Sequence, residues 1–261
     1  MSVIAIVGTS FGFIAAADGR MSPGDPNAPE DTLALADDYQ QKIFDISDSQ
    51  KALAYAVEGW VIHPDGYDLV AIIQSQVKRI RHRRLSDCRQ YLAVLADKVN
   101  TEINNAKEDG RLDMFPQAAR LEQTTAWKFA KMLIAGYFDG MPILYRIEFV
   151  HYSGEHTEAM VIPYPNPQQC IFAGSRAVTR EMYQANGLPV AGSRFSEYVK
   201  ELGLDPSLDD AEEYAVGYVK ACCSPLAIQI DAKCKAMGGH IHVAEITPAG
   251  LKWRIPPATH N

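Results

Sequence analysis

Two short apolar segments at the start of the chain constrain its fold most strongly. Val3–Val7 and Phe13–Ala17 are separated by the short link GTSFG. β-Branched and aromatic residues on both sides of a glycine-containing link are typical of a β-hairpin. The second segment ends on Asp18. If Met1 is removed, the first strand of this hairpin follows directly after Ser2, which then carries both a free amine and a hydroxyl.

Length and composition fit a globular protein of one large domain or two small ones, and the absence of internal repeats and low-complexity segments favours one domain spanning residues 1–261. Composition also argues against several classes of partner. Hydrophobic residues make up 47% and charged residues 22% of the chain, which is ordinary for a globular protein. A net charge of −7 argues against nucleic acid, which requires a basic surface. The basic run Lys78–Arg84 is interpreted as the solvated or subunit-facing side of a helix. No signal peptide is evident, and no run of about 18 apolar residues predicts a membrane span.

Cysteine and histidine spacing predicts neither disulfides nor a metal site. Five cysteines without a CxxC motif or a secretory signal indicate reduced thiols in a cytoplasmic protein. His240 and His242 alternate along a predicted strand, which is a spacing that a metal pair can use. No third ligand is evident, so we interpret them as solvated or interface histidines. We expect no metal and no cofactor.

Hydrophobic periodicity then divides the chain into alternating groups of strands and helices. Residues 42–57 are predicted to form a second hairpin, with SDSQ as its turn. A helix is predicted from Tyr67 to about Arg83, and a second helix begins at a cap formed by Ser86 and Asp87. The segment Asn104–Thr124 has weak periodicity and is predicted as a loop that contains at most one helical turn.

The second half of the chain repeats this alternation. Strands are predicted around FDGMP, AMVIPY and QCIFAGS, followed by a helix at Arg176–Asn186. Residues 205–235 are predicted to form two helical pieces, the first capped by Asp209 and the second delimited by Pro225. A final strand pair flanks the TPAG turn. Because strands of this kind bury both faces, we expect two packed sheets with helices outside.

In order along the chain, SVIAIVGTSFGFIAAADGRM, QKIFDI, ALAYAVEG, MLIAGYFDGMPILYRIEF, FAGS and GGHIHVAEITPAGLKW resemble the signatures of proteasome β-type subunits and bacterial HslV. The resemblance covers nearly the whole chain. It implies an α+β fold, the four-layer αββα sandwich of the N-terminal nucleophile hydrolases. It further implies a peptide or protein substrate and a homo-oligomeric ring, and leaves open whether an ATPase partner assists.

The resemblance also assigns site residues, one at a time. Ser2 falls on the nucleophile, usually threonine, and Asp18 follows it after the same interval of sixteen residues. Lys42 falls on the catalytic lysine. Arg20 and, in FAGS, Ser175 fall on supporting positions.

The N–H donor for the oxyanion is expected at Val57, where the family prefers glycine, or at Gly59. Cys234 and Met237, which both precede the final Gly-Gly, depart from the family pattern. An aspartate and a serine are usual at these positions.

The chemistry of these residue types supports the same interpretation. A serine hydroxyl is a weak nucleophile and needs a base beside it. The α-amine of the same residue, with an unperturbed pKa of about 7.7–8.0, can take the proton at neutral pH. The Lys42 ammonium would favour the neutral amine, and Asp18 would hold the lysine. The alternatives are a catalytically silent proteasome-like subunit and an amidase acting on non-peptide substrates.

Overall fold

A computed structural model describes residues 2–20, 37–59, 61–63, 66–81, 85, 87–112, 126–152, 156–184 and 187–258. The strands of these ranges are β1 (Ile4–Gly8), β2 (Phe13–Ala17), β3 (Ile43–Asp45), β4 (Lys51–Gly59), β5 (Ile62–His63), β6 (Tyr67–Asp68), β7 (Ala126–Phe138), β8 (Met141–Tyr152), β9 (Thr157–Pro163), β10 (Cys170–Ala173), β11 (His242–Thr247) and β12 (Gly250–Ile255). The helices are α1 (Leu69–Ile80), α2 (Cys88–Glu108), α3 (Arg176–Met182), α4 (Leu208–Cys222), α5 (Pro225–Ile230) and a 3-10 helix (Ala232–Ala236).

Ten of these strands form two antiparallel sheets of five. The first sheet has the order β10-β1-β2-β11-β12 and the second the order β3-β4-β7-β8-β9. The predicted N-terminal hairpin is confirmed: β1 and β2 pair in a register that runs from Ile4↔Ala17 to Gly8↔Phe13. The hairpin predicted over residues 42–57 is also confirmed, as β3 and β4.

The two sheets pack face to face through a layer rich in alanine. Alternate residues of each strand point into this layer because side chains change sides at every step along a strand. The buried members include Ile4, Ile6, Ala15, Ala17, Ala52, Ala54, Ala56, Leu133 and Ala135. Small side chains on both inner faces allow the sheets to approach closely, which brings the ends of β2 and β3 together.

Helices cover the outer face of each sheet. Val3, Ala5 and Val7 point away from the second sheet and pack with Tyr218 and Val219 of α4. On the other side, α1 and α2 cover the outer face of β4, β7 and β8. The layers therefore run helices, sheet, sheet, helices, and the predicted αββα fold is confirmed.

Helix α2 extends about one turn beyond the apolar stripe that predicts it. The stripe ends at Ile103 and the helix at Glu108, so the single helical turn allowed in the segment from Asn104 lies at its start. Ala106 is fully buried and extends the apolar stripe beyond Ile103. The Asn104 side chain accepts a hydrogen bond from the Thr157 main chain at 3.1 Å. These contacts with the second sheet stabilise the last turn, and sequence periodicity does not register them.

The cap of α4 also differs from the prediction. Ser207, not Asp209, is the N-cap: its hydroxyl oxygen accepts the Asp210 main-chain N–H, and its own main-chain N–H donates to the Asp210 carboxylate, which forms a capping box. Serine followed three residues later by an acidic side chain is a favourable start of this kind. Asp209 instead lies in the first turn and forms an ion pair with Arg254 at 2.5 Å.

Other predictions agree with the structure or fall outside the described residues. Pro225 occupies the first turn of α5, where its missing N–H has no helical partner to lose. Helix α3 ends at Met182, before the predicted end. The Pro-rich loop before residue 37, the cap at Ser86 and the end of the basic run at residues 82–84 lie outside the described residues. None of the described helices is long and apolar enough to span a membrane.

Candidate active site

Asp18 is the centre of a buried polar cluster at the end of the N-terminal hairpin. Its side chain is fully buried. Oδ1 accepts the Val3 main-chain N–H at 2.9 Å and the Lys42 ammonium at 2.6 Å. Oδ2 accepts the Gly238 main-chain N–H at 3.0 Å. A buried carboxylate is stable only when donors of this kind replace water, so Asp18 ties the start of β1 to Lys42 and to the Gly-Gly turn.

Hydrogen bonds hold both the side chain and the main chain of Lys42. The residue is only 4% exposed. Its ammonium donates to Asp18 and to the Arg20 carbonyl oxygen, each at 2.6 Å. Its main-chain N–H donates to Nε2 of His242 at 3.1 Å. All three partners belong to the first sheet or its flanking turns, although Lys42 precedes β3 of the second sheet.

Strand register places Ser2 beside this cluster. The pairing Ile4↔Ala17, continued by two residues, sets Ser2 opposite Gly19. Alternation along β1 directs the Ser2 side chain to the same face as Ile4, toward the second sheet. The Lys42 ammonium and the Val3 N–H share one acceptor, Asp18 Oδ1. The ammonium therefore lies within two hydrogen-bond lengths of the peptide nitrogen that follows Ser2, and Ser2 itself is 5% exposed.

Arg20 holds the neighbouring turn through a partner that the sequence did not indicate. Its guanidinium forms a two-point ion pair with Asp38, with Nε–Oδ1 at 2.6 Å and Nη2–Oδ2 at 3.0 Å. This contact lowers the pKa of Asp38 and raises that of Arg20. The Arg20 main-chain N–H donates to the Gly238 carbonyl at 2.8 Å. Asp38 lies beside Asp37 in an acidic segment, and nothing in that pattern distinguishes it.

Ser175 lies next to the start of β1 and points to a second missed residue, Asp231. The pairing Ile4↔Ala173, continued by two residues, sets Ser175 opposite Ser2. Its hydroxyl donates to Asp231 Oδ2 at 2.7 Å and, as the N-cap of α3, accepts the Val178 main-chain N–H at 3.2 Å. Asp231 joins α5 to the 3-10 helix.

The two departures from the family pattern have different environments. Cys234 is buried beside Ser175, and burial raises its pKa to about 11, so the thiol is neutral at ordinary pH. Met237 buries its side chain in the core beneath α4. Ser175 donates to a carboxylate three residues before Cys234, that of Asp231.

The main-chain N–H and C=O of Val57 point toward β3, the strand that Lys42 precedes. The Ile46 N–H donates to the Leu53 carbonyl at 2.9 Å, so Leu53 faces β3, and alternation gives Val57 the same direction. The Val57 side chain leaves the sheet on its outer face, where it packs into the core under α1 and α2. It therefore does not crowd the strand edge that faces Lys42. Gly59 ends β4 with φ +108, and a Cβ there would lie 2.2 Å from the Phe129 carbonyl oxygen.

His242 is buried, which corrects its interpretation as a solvated histidine. His242 is 1% exposed, so it is not a solvated histidine. The pairing His242↔Ala17 places it on the inner face of the first sheet, where its Nε2 is engaged by Lys42. His240 precedes β11, and its Nε2 lies 2.8 Å from the Pro256 carbonyl oxygen. Among the described residues, no cluster of three or more His, Cys, Asp or Glu side chains is arranged to hold a metal ion.

Comparison with known proteins identifies structural neighbours. No family model and no curated protein matches the sequence. Anbu, an ancestral β-subunit, from Yersinia bercovieri superposes with a TM-score of 0.54 and 14% identity, covering 96% of this chain and 86% of that one. A Gly-1 mutant of Anbu from Hyphomicrobium sp. strain MC1 gives 0.52 and 13%, covering 97% and 84%. This likeness covers both sheets and their helices. At 13–14% identity it shows a proteasome-like fold and nothing finer.

Proposed function

We propose that this chain is a proteasome-like N-terminal hydrolase that cleaves peptide bonds with Ser2 as nucleophile, after removal of Met1. The observation that carries the proposal is the buried Lys42–Asp18 pair at 2.6 Å, which shares Asp18 Oδ1 with the peptide N–H following Ser2. A buried ion pair is weak evidence for stability, because desolvation offsets most of its attraction. A charged pair placed at the chain's potential nucleophile therefore favours a chemical role.

In this proposal the Ser2 hydroxyl attacks the substrate carbonyl carbon while the Ser2 α-amine takes the hydroxyl proton. The amine then gives that proton to the leaving amine as the C–N bond breaks, which leaves an acyl ester on Ser2. A water molecule, deprotonated by the same amine, attacks the ester and restores the hydroxyl. The Lys42 ammonium favours the neutral amine by electrostatic repulsion of a second positive charge.

The remaining site residues have supporting roles in the proposal. The Val57 N–H would stabilise the oxyanion that forms on the attacked carbonyl, with Gly59 as the second candidate donor. Ser175, oriented by Asp231, would support the Ser2 amine. Arg20 would hold the Gly-Gly turn that donates to Asp18 through Gly238.

The proposal includes partners that resemblance and composition suggest. The substrate is a peptide or protein, and the chain acts as a homo-oligomeric ring in the cytoplasm, without nucleic acid, membrane, metal or cofactor. The structural neighbours are Anbu proteins, so the proposal concerns the proteasome-like superfamily and not HslV in particular.

A catalytically silent subunit is the second candidate, and two observations favour it. Ser2 is only 5% exposed, whereas a nucleophile must meet a substrate carbonyl. Cys234 and Met237 replace the polar pair of the family pattern. In that case Ser2 would belong only to the core of a chamber wall.

Intact-mass spectrometry of the purified protein separates the two candidates. We expect a mass that corresponds to a chain beginning at Ser2, and an adduct on Ser2 after incubation with an inhibitor directed at N-terminal nucleophiles. The Ser2→Ala variant should also lose Met1, since alanine is small as well, but should take no adduct. A mature chain whose Ser2 does not react, and which has no peptidase activity that Ser2→Ala removes, would establish the silent subunit.

A substrate panel then tests the bond that is cleaved. Short fluorogenic peptides and acyl amides of matched size should be compared at equal concentration. Preferential cleavage of the peptides supports a peptidase, whereas turnover of the acyl amides alone would indicate a non-peptide amidase. Ser2→Ala is the control for both arms.

A further inference from the structure

His242 lies at the junction of the two sheets, close to the candidate site. It is the first residue of β11 and pairs with Ala17, the residue before Asp18. Its side chain is 1% exposed, and its ring lies edge-on to Trp253 with centroids 6.0 Å apart. An imidazole buried to this degree needs a hydrogen-bond partner for its ring nitrogens.

That partner also defines the chemical form of the ring. Nε2 accepts the Lys42 main-chain N–H at 3.1 Å. A peptide N–H can only donate, so Nε2 must be unprotonated and the ring proton must lie on Nδ1. Burial, together with the nearby Lys42 and His240 charges, lowers the pKa of His242 to about 3. The ring therefore remains a neutral acceptor at every pH near neutrality.

The bond matters because Lys42 belongs to the chain segment that enters the second sheet. Strand β3 begins one residue later, at Ile43. The ammonium reaches across to Asp18 of the first sheet, and the His242 bond attaches the main chain of the same residue to that sheet. A lysine side chain is long and loses much conformational freedom when it is held in one arrangement. Fixing its main chain removes one source of that disorder.

We propose that His242 is a positioning residue, which holds the Lys42 main chain so that the ammonium reaches Asp18 and the Ser2 amine. The inference rests on the proposed function of Lys42, although the contact itself does not. The role of His242 is then to accept the Lys42 main-chain N–H, which is neither metal binding nor core packing. Packing alone would be satisfied by any flat ring against Trp253.

Two substitutions separate positioning from packing. His242→Phe keeps a flat ring against Trp253 but has no acceptor. His242→Gln is smaller, yet its amide oxygen can replace Nε2 as an acceptor. His240→Phe is the matched control, because His240 is two residues away and its ring contacts only the Pro256 carbonyl among the hydrogen bonds described.

The first measurement is the rate of Ser2 modification by the N-terminal-nucleophile inhibitor, followed by intact mass. We expect His242→Phe to slow it by about tenfold, the change that one hydrogen bond of ordinary net strength produces. His242→Gln should restore most of the rate, and His240→Phe should leave it unchanged. A folded His242→Phe protein that reacts at the wild-type rate would overturn the proposal.

The second measurement does not depend on activity. In wild-type protein, ¹⁵N NMR of labelled histidine should show His242 with Nδ1 protonated and Nε2 unprotonated. The Lys42 amide should exchange slowly with solvent, faster in His242→Phe, and slowly again in His242→Gln. A protonated Nε2, or a Lys42 amide that exchanges as slowly in His242→Phe as in wild type, overturns the positioning role even if Ser2 reacts. If wild-type Ser2 takes no adduct, the proposed function fails, and this measurement alone decides the role of His242.

Should His242→Phe fail to fold, His242→Gln decides the matter together with the wild-type tautomer. A folded Gln variant that loses both amide protection and Ser2 reactivity contradicts the proposal, because the acceptor is still present.

Discussion

Removing the Lys42 ammonium should destabilise the fold far more than removing an exposed lysine. In Lys42→Met, the chain keeps a side chain of similar length, but the Asp18 carboxylate loses a donor at 2.6 Å. The two side chains of this pair are 4% and 0% exposed. Loss of one partner from a buried pair costs about 3–5 kcal/mol, because the remaining charge stays buried without compensation.

The expected value lies at the lower end of that range. Asp18 retains two main-chain donors, from Val3 at 2.9 Å and Gly238 at 3.0 Å. We therefore expect a loss of about 3 kcal/mol in the free energy of unfolding. For a chain of this size that corresponds to a Tm lowered by about 6–12 °C. Adding Asp18→Asn to the Lys42→Met protein should recover part of the loss, since it removes the uncompensated charge.

Lys200→Met provides the matched control. Lys200 pairs with Glu213 at 2.9 Å, but the two side chains are 53% and 65% exposed. Solvent screens such a pair, so its loss should cost less than about 1 kcal/mol. Urea unfolding followed by circular dichroism measures both variants. If Lys42→Met costs no more than Lys200→Met, the assignment of a buried charge pair to Asp18 is wrong.

Three further sets of substitutions test the supporting structure. Arg20→Gln should lower the free energy of unfolding relative to wild type, and this difference should shrink as pH falls below about 4. The pKa of Asp38 is lowered in the folded state, so the ion pair stabilises the fold above the unfolded pKa of Asp38. That contribution disappears as the carboxylate is protonated. Ser175→Ala and Ser207→Ala each remove an N-cap and should each cost about 1 kcal/mol in thermal unfolding, but only Ser175→Ala should slow Ser2 modification. Gly59→Ala should lower Tm by several degrees, because a Cβ there would lie 2.2 Å from a main-chain oxygen at positive φ.

Each of these three predictions has a result that would contradict it. A pH-independent difference for Arg20→Gln would show that its pairing with Asp38 does not contribute to stability. Equal effects of Ser175→Ala and Ser207→Ala on Ser2 modification would show that Ser175 acts only as a helix cap. Gly140 has positive φ without a contact within 4 Å, so Gly140→Ala should cost less than Gly59→Ala. Equal costs would mean that the close contact at Gly59 relaxes.

Some site contacts escape sequence analysis because they join residues far apart in the chain. Asp231 bonds to Ser175 across 56 positions, and His242 bonds to Lys42 across 200. The sequence pattern places Asp231 only in a helical stretch, since local periodicity describes no more than the helix to which a residue belongs. The pairing of Arg20 with Asp38 likewise requires a connection between two turns.

Local pattern was sufficient where neighbouring residues interact. The N-terminal hairpin follows from two apolar segments and a short link, and its register alone brings Ser2 and Asp18 together. The inner faces of the strands follow from alternation, which separates the layer between the sheets from the layers beneath the helices.

The tertiary structure decided which charges meet and which donors they share. Lys42 reaches Asp18 only because small alanines let the two sheets approach at the ends of β2 and β3. The resemblance carried by the sequence named Ser2, Asp18 and Lys42 as the residues of the N-terminal cluster. The partners that hold them in place, His242 and Gly238, became evident only when both sheets were packed, because hydrogen bonds between sheets leave no periodic signal along the chain.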